Sequence, residues 1–245
     1  MLPLSDMLRA RSFPFVNVAL IVANFIVFIA YELPNSESAV DRWSFYPCAV
    51  DNACHAPEPW LVSWFTAMFL HGGWDHILGN MLFLAIFGKN VEDAYGHLRY
   101  LALYVVGGFV AMMTQTLMTL VAGSASDATV PNLGASGAIA AVLGAYLVLY
   151  PKSQILTWVV VWVVTIPAWV FLGGWFVYQL VVANAGLFSP GSNGGGVAFF
   201  AHVGGFAFGA VVTWLAVRVG WVQPQDYEAA EATGRRPART LWSQA

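Results

Sequence analysis

The chain has 245 residues, of which 59% are hydrophobic and only 9% charged, whereas soluble domains carry roughly 25% charged residues. This composition, with a mean hydropathy of +0.67, excludes an ordinary soluble globule and reads as a helical membrane protein with several spans. The formal net charge of −3 says less than the distribution of the charges, and no basic block or aromatic-basic patch suggests nucleic-acid binding.

Residues 1–14, with Arg9 and Arg11, read as a cytoplasmic N-terminus. The apolar run over 15–31 is long for a signal-peptide core, and Ala30-Tyr31-Glu32-Leu33-Pro34 offers no small-x-small cleavage site. It is therefore read as a retained first span. A long loop over 32–74 follows, and it holds the only cysteines, Cys48 and Cys54. These can pair in an oxidising compartment; a metal site that adds His55 to them lacks an evident fourth ligand. Trp60–Leu70 is apolar but too short to cross a bilayer, so it reads as a re-entrant or interfacial element of this loop.

Five more spans are predicted over 75–92, 98–121, 134–150, 155–182 and 199–219. The window 155–182 is too long for an upright span; a kink at Pro167 or a bend at Gly173-Gly174 would accommodate it. Tryptophans 158, 162, 169 and 175 are read as facing lipid or the membrane interface. The six spans make one domain over 15–221, and residues 222–245 read as a flexible cytoplasmic tail. If every span crosses, Arg9, Arg11, Lys89, Arg99, Lys152, Arg218, Arg235, Arg236 and Arg239 share one side, with only Arg42 on the other. The positive-inside rule then puts both termini in the cytoplasm of a multi-pass protein of the cell's inner membrane.

Depth follows from that orientation. His76 and Asn80 fall in the first two turns of span 2, Ser136 about one turn into span 4, and His202 about one turn into span 6. At about 1.5 Å per helical residue, all four lie near the extracytoplasmic face. His202, Gly205 and Gly209 share one helix face, and Gly205-xxx-Gly209 is a surface that lets backbones approach closely. Gly134, Gly137, Ala140, Ala141, Gly144 and Ala145 give span 4 a matching surface around and below Ser136. If these faces pack, His202 can act as general base to a Ser136 nucleophile. No Asp or Glu lies in the interior of the spans to orient the imidazole, so the expectation is a dyad. His76 and Asn80, four residues apart on one face, can supply oxyanion donors together with the Ser136 N–H.

The runs His71-Gly72-Gly73-Trp74-Asp75-His76-Ile77-Leu78-Gly79-Asn80, Gly134-Ala135-Ser136-Gly137, and Ala201-His202 followed by Gly205 and Gly209 resemble the rhomboid family of intramembrane serine proteases. The resemblance implies an all-α membrane protein, a six-transmembrane-helix bundle with a partly re-entrant first loop around Trp60–Leu70. It implies Ser136 as nucleophile, His202 as base, and His76 and Asn80 as the oxyanion pair. His71, Gly134, Gly137, Gly205 and Gly209 are expected to be structural near the site. It implies cleavage of single-span membrane proteins within the lipid bilayer, without cofactor or metal, with span 5 and a cap near Gly194-Gly195-Gly196 as the substrate gate. Two departures stand out: Val62-Ser63 replaces the family's Trp-Arg pair, and Ala140 occupies the place of a tyrosine that packs on the histidine in some bacterial members. Another residue must therefore hold His202.

Each of these features also has a simpler structural reading. A lone membrane serine most often bonds back to a carbonyl one turn earlier, and glycine-rich faces alone indicate helix packing. His71 reads as structural and His97 as a solvated interface residue. A non-catalytic binder of transmembrane helices is the main alternative, and a haem or proton-relay protein a remote third. Oligomeric state is left open.

Overall fold

The computed structural model describes residues 2–188 and 198–224, with 182–188 by backbone alone. In chain order these form β1 (Leu2–Asp6), α1 (Phe15–Trp43), α2 (Trp60–Ala67), α3 (Trp74–Phe83), α4 (Lys89–Tyr95), α5 (His97–Ala122), α6 (Ser136–Leu149), β2 (Gln154–Val159), β3 (Trp162–Pro167), α7 (Ala168–Phe188) and α8 (Phe199–Arg218). The protein is mostly helical. Helices α1, α5 and α8 are long and apolar enough to cross a membrane, and Ser136–Leu149 and Ala168–Val181 are shorter apolar helices. The glycines at 194–196 and the tail beyond 224 lie outside the described residues.

Helix α6 forms the centre, with every residue from Gly137 to Tyr146 buried. Its small residues allow this. A Cβ on Gly205 would collide with the Gly137 carbonyl, one on Gly209 with the Ala141 carbonyl, and one on Gly144 with the Phe206 carbonyl. The glycine faces expected on spans 4 and 6 therefore meet backbone to backbone, which maximises dispersion contact where lipid supplies no hydrophobic drive.

Polar groups pin the other helices to this centre. Helix α3 passes into α4 through a π-helical turn, Leu84–Gly88. There the Asn17 side-chain amide donates to the Leu84 carbonyl at 3.1 Å and accepts from the Tyr100 hydroxyl at 2.6 Å. The Glu92 carboxylate accepts from the N–H groups of Val16 and Asn17 at 2.9 and 2.7 Å, satisfying two orphan donors at the start of α1. The first loop is tied down as well. Cys48 and Cys54 are disulfide-bonded, which commits both sulfurs to each other. Phe45 and Asn132 exchange backbone bonds at 3.0 and 2.8 Å, and the Gly134 N–H donates to the Ala67 carbonyl at 2.8 Å, so α2 buttresses the segment leading to Ser136.

The window 155–182 corrects the all-helical expectation. It is not one kinked span: β2 and β3 form a hairpin, and α7 begins only at Ala168. Pro167 closes β3 instead of kinking a helix, and α7 runs through Gly173-Gly174 without a break. Residues 155–166 are dominated by β-branched and tryptophan side chains, which favour a pleated strand, while hydropathy alone sees only an apolar run. The 1–14 segment, read only as a cytoplasmic N-terminus, also contributes to this sheet. Leu2–Asp6 adds the third strand, antiparallel to β2, with Leu2 opposite Trp158 and Asp6 opposite Ile155. Asp6 is buried there, ion-paired to Lys89 Nζ at 2.7 Å, and it accepts from the Asn90 amide and from the Tyr146 hydroxyl.

Candidate active site

Ser136 is the first residue of α6 and His202 the fourth of α8. At about 1.5 Å per residue, the 14-residue α6 is roughly 21 Å long, shorter than the hydrocarbon thickness of about 30 Å. Its first residue can therefore lie below a membrane surface while the preceding loop covers it. The backbone contacts of Gly137 with Gly205 fix the two helices at the height where the side chains meet. The Ser136 hydroxyl lies 2.8 Å from His202 Nε2. His202 is buried, and its Nδ1 lies 3.1 Å from Gln179 Oε1 on α7. An amide oxygen can only accept, so Nδ1 carries the proton and Nε2 is left as acceptor from the serine hydroxyl. That tautomer is the one a general base requires.

Gln179 was missed in the sequence reading, which weighed only carboxylates and a tyrosine as partners for the imidazole. Its signal was there: an amide within an otherwise apolar window. Gln115 was missed for the same reason. Its Oε1 accepts from the N–H groups of Phe200 and Ala201 at 3.1 and 3.3 Å, capping α8 one residue before the histidine. Trp175 corrects an expectation. It is half-buried and lies tilted over His202, ring centroids 5.8 Å apart, while Trp158, Trp162 and Trp169 are exposed. The position left by Ala140, itself buried against the bundle, is thus made good from α7.

His76 and Asn80 come to the same end of the bundle. Gly134 has φ +121°, and a Cβ there would stand 2.9 Å from His76 Nε2 and 3.6 Å from the Ser136 hydroxyl, so the glycine is needed for backbone and space alike. The Gly72 N–H donates to His76 Nδ1 at 3.2 Å, which leaves the Nε2–H as a donor on the Gly134 side. Asn80 is buried, and its amide nitrogen has no partner among the described residues. His71 is buried; its N–H donates to both carboxylate oxygens of Glu32 at 3.0 and 2.9 Å, and its ring meets His76 edge-on at 5.1 Å. Glu32 was another residue with no assigned role in the sequence. A cavity of about 20 Å³ adjoins Ser136, lined by Met68, Gly108, Ala111, Gly134 and Ala198 among others, room for about one water.

A family model described as Rhomboid domain matches residues 58–219. The chain is 31% identical to RHOMBOID-like protein 1 of Arabidopsis thaliana over 169 residues, 68% of this chain and 36% of that protein. It is 27% identical to the mitochondrial presenilin-associated rhomboid-like protein of Bos taurus over 194 residues, 78% of this chain and 45% of the relative. A mitochondrial RHOMBOID-like protein 12 from Arabidopsis thaliana is 25% identical over 84% of this chain and 59% of its own length. The chain thus spans about a third to six-tenths of the length of these relatives. The matched region runs from α2 to the end of α8 and contains every residue of the cluster described above except Glu32, and on that footing the chain is a multi-pass membrane protein that belongs to the rhomboid family.

Proposed function

We propose that the protein is an intramembrane serine endopeptidase that hydrolyses peptide bonds in or near the transmembrane segments of single-span proteins. The observation that carries this reading is the 2.8 Å contact between Ser136 Oγ and His202 Nε2, made by two helices that meet through glycine. In the first step Ser136 Oγ bonds to the scissile carbonyl carbon and its proton passes to His202 Nε2. The oxyanion receives hydrogen bonds from Asn80 Nδ2, His76 Nε2–H and the Ser136 N–H. Collapse expels the amine, which takes the proton from the imidazolium, and leaves an acyl ester. A water then repeats the sequence on the ester, giving its proton to His202, and restores Ser136. Loss of one oxyanion donor costs on the order of 10²–10³ in turnover in comparable sites. Gln179 keeps the imidazole in register throughout without adding a charge, as an amide does in Cys-His-Asn proteases.

In this reading α1, the α3–α4 pair, α5, α6, α7 and α8 make six crossings. Both termini are cytoplasmic, and Ser136 opens toward the extracytoplasmic side of the inner membrane. Substrate enters sideways from lipid past α7, whose Trp169, Val177, Tyr178 and Val181 are exposed. The purified protein in detergent should be labelled at Ser136 by a fluorophosphonate, and Ser136→Ala should abolish labelling; equal labelling of both proteins would remove Ser136 as nucleophile. A reporter transmembrane segment cut by wild type and left intact by His202→Ala would separate a protease from a binder of the same fold.

A further inference from the structure

The β2–β3 hairpin has no part in the proposed reaction. It lies at the end of α6 opposite Ser136, a short loop after Leu149, and its neighbour β1 is held there by Lys89 and Tyr146. Its two-residue turn is Val160-Val161, closed by the pair Val159 and Trp162. Val160 is 85% exposed, Val161 74% and Trp162 72%. No charged residue occurs between Lys152 and Arg218. Val160 also has φ +57°, a conformation that a β-branched side chain adopts only under strain. Turns of this kind ordinarily place glycine at such a position and polar residues beside it. Two valines there raise the strain and also the apolar surface, and that surface is costly in water and favourable against lipid.

We propose that the hairpin tip is a membrane-surface anchor, its valines and tryptophans seated in the lipid leaflet at the end of the bundle opposite Ser136. The apolar surface continues from β3 directly into the exposed Trp169 and Val170 of α7, a helix of the bilayer, so tip and lipid-facing helix form one surface. Trp158 and Trp162 bracket the tip, the position that interfacial indoles favour. Exposed Lys152 stands at the root of the hairpin, where phosphate headgroups would lie. The outer edge of β3 pairs with no strand among the described residues, so its backbone groups need water or headgroups. That limits insertion to the interface, about 5–10 Å deep. Because β3 leads into α7 and β2 is stitched to β1, the anchor holds the foot of the helix that carries Gln179.

The test uses the full chain in phosphatidylcholine–phosphatidylglycerol vesicles, with a nitroxide at Val161→Cys and, as a water reference, at Ser126→Cys. Cys48 and Cys54 are bonded to each other and leave the new thiol alone to react. The ratio of oxygen to nickel-chelate collisions should be severalfold higher at 161 than at 126 if the tip lies in the interface. Nickel access equal to that at 126 puts the tip in water and overturns the proposal. Closure to both reagents puts it against protein, a second copy included, and overturns it too. Val160→Gly with Val161→Ser suits the turn better and preserves the hairpin; a label at Trp162→Cys in that background should gain nickel access severalfold. Unchanged lipid exposure of that label would show that the valine tip is not what holds the hairpin in the leaflet.

Discussion

His202 makes two hydrogen bonds at once, one to a hydroxyl and one to an amide, and each nitrogen's role follows from the other's partner. In the proposed reaction Gln179 would act through the imidazole, as a positioning residue. Gln179→Met keeps the volume and removes the acceptor. It should lower kcat on a reporter transmembrane segment roughly tenfold, about one hydrogen bond's worth, with KM unchanged. The downfield Nδ1–H proton resonance of His202 should vanish with it and return in Gln179→Glu, which restores an acceptor. An unaltered kcat with the resonance intact in Gln179→Met would dismiss the role, while labelling of Ser136 by fluorophosphonate would still report on the nucleophile separately. Ser136, His202, His76 and Asn80 were legible in the sequence because polar atoms in apolar spans need a reason to be there. Gln179 met the same criterion. Its partner was not legible, because nothing in spacing says which face of α7 turns toward α8.

At the scale of elements, close backbone contact between α6 and α8 sets the serine–histidine distance. Gly209→Leu places a side chain on the Ala141 carbonyl, where no flexible group can yield. The expected cost is about 3 kcal/mol from overpacking, read as a lowered Tm in detergent, and hydrolysis should fall with it as the helices part. Gly173→Ala is the control: open space surrounds that position in α7, so the substitution should be neutral or stabilise by about 0.5–1 kcal/mol through helix propensity. A Gly209→Leu protein with unchanged Tm and activity would show that the two helices do not rely on this contact. These glycine faces could be read from i, i+3, i+7 spacing, since small residues at helical intervals have one dominant use in a membrane. The hairpin could not be read from hydropathy. A run of Val, Trp, Ile and Thr is equally apolar as helix or strand, and the strand that completes its sheet, Leu2–Asp6, lies some 150 residues away in the chain.

Across the whole molecule, the N-terminal strand is tied to the bundle by an ion pair between buried Asp6 and half-buried Lys89. Burial pushes the Asp6 carboxyl above the usual carboxylate range, and Lys89 pulls it back. Lys89→Met removes the cation and leaves a buried carboxylate with only the Asn90 amide and the Tyr146 hydroxyl as partners, a change expected to cost about 3 kcal/mol. The sign with pH follows from linkage. A carboxyl whose pKa is raised by folding favours the protonated native state, so the variant should be most stable at acid pH and lose stability as pH rises through the raised value. Asp6→Asn with Lys89→Met should recover most of the loss and abolish that pH dependence. Thermal unfolding across pH checks both, and a flat profile for Lys89→Met would show that the pair does not hold the strand.

Composition, apolar run lengths and a few out-of-place polar residues were enough by themselves to determine a helical membrane protein of this family and to single out its serine, histidines and asparagine. Those features are local, and the bilayer imposes them on any chain that crosses it. Tertiary structure alone decided that a glutamine of α7 holds the imidazole, that α6 stands at the centre, and that the first five residues after Met1 complete a sheet with a hairpin read as helix. Each of these depends on contact between segments far apart in the chain, and which of several apolar faces meet is set by packing.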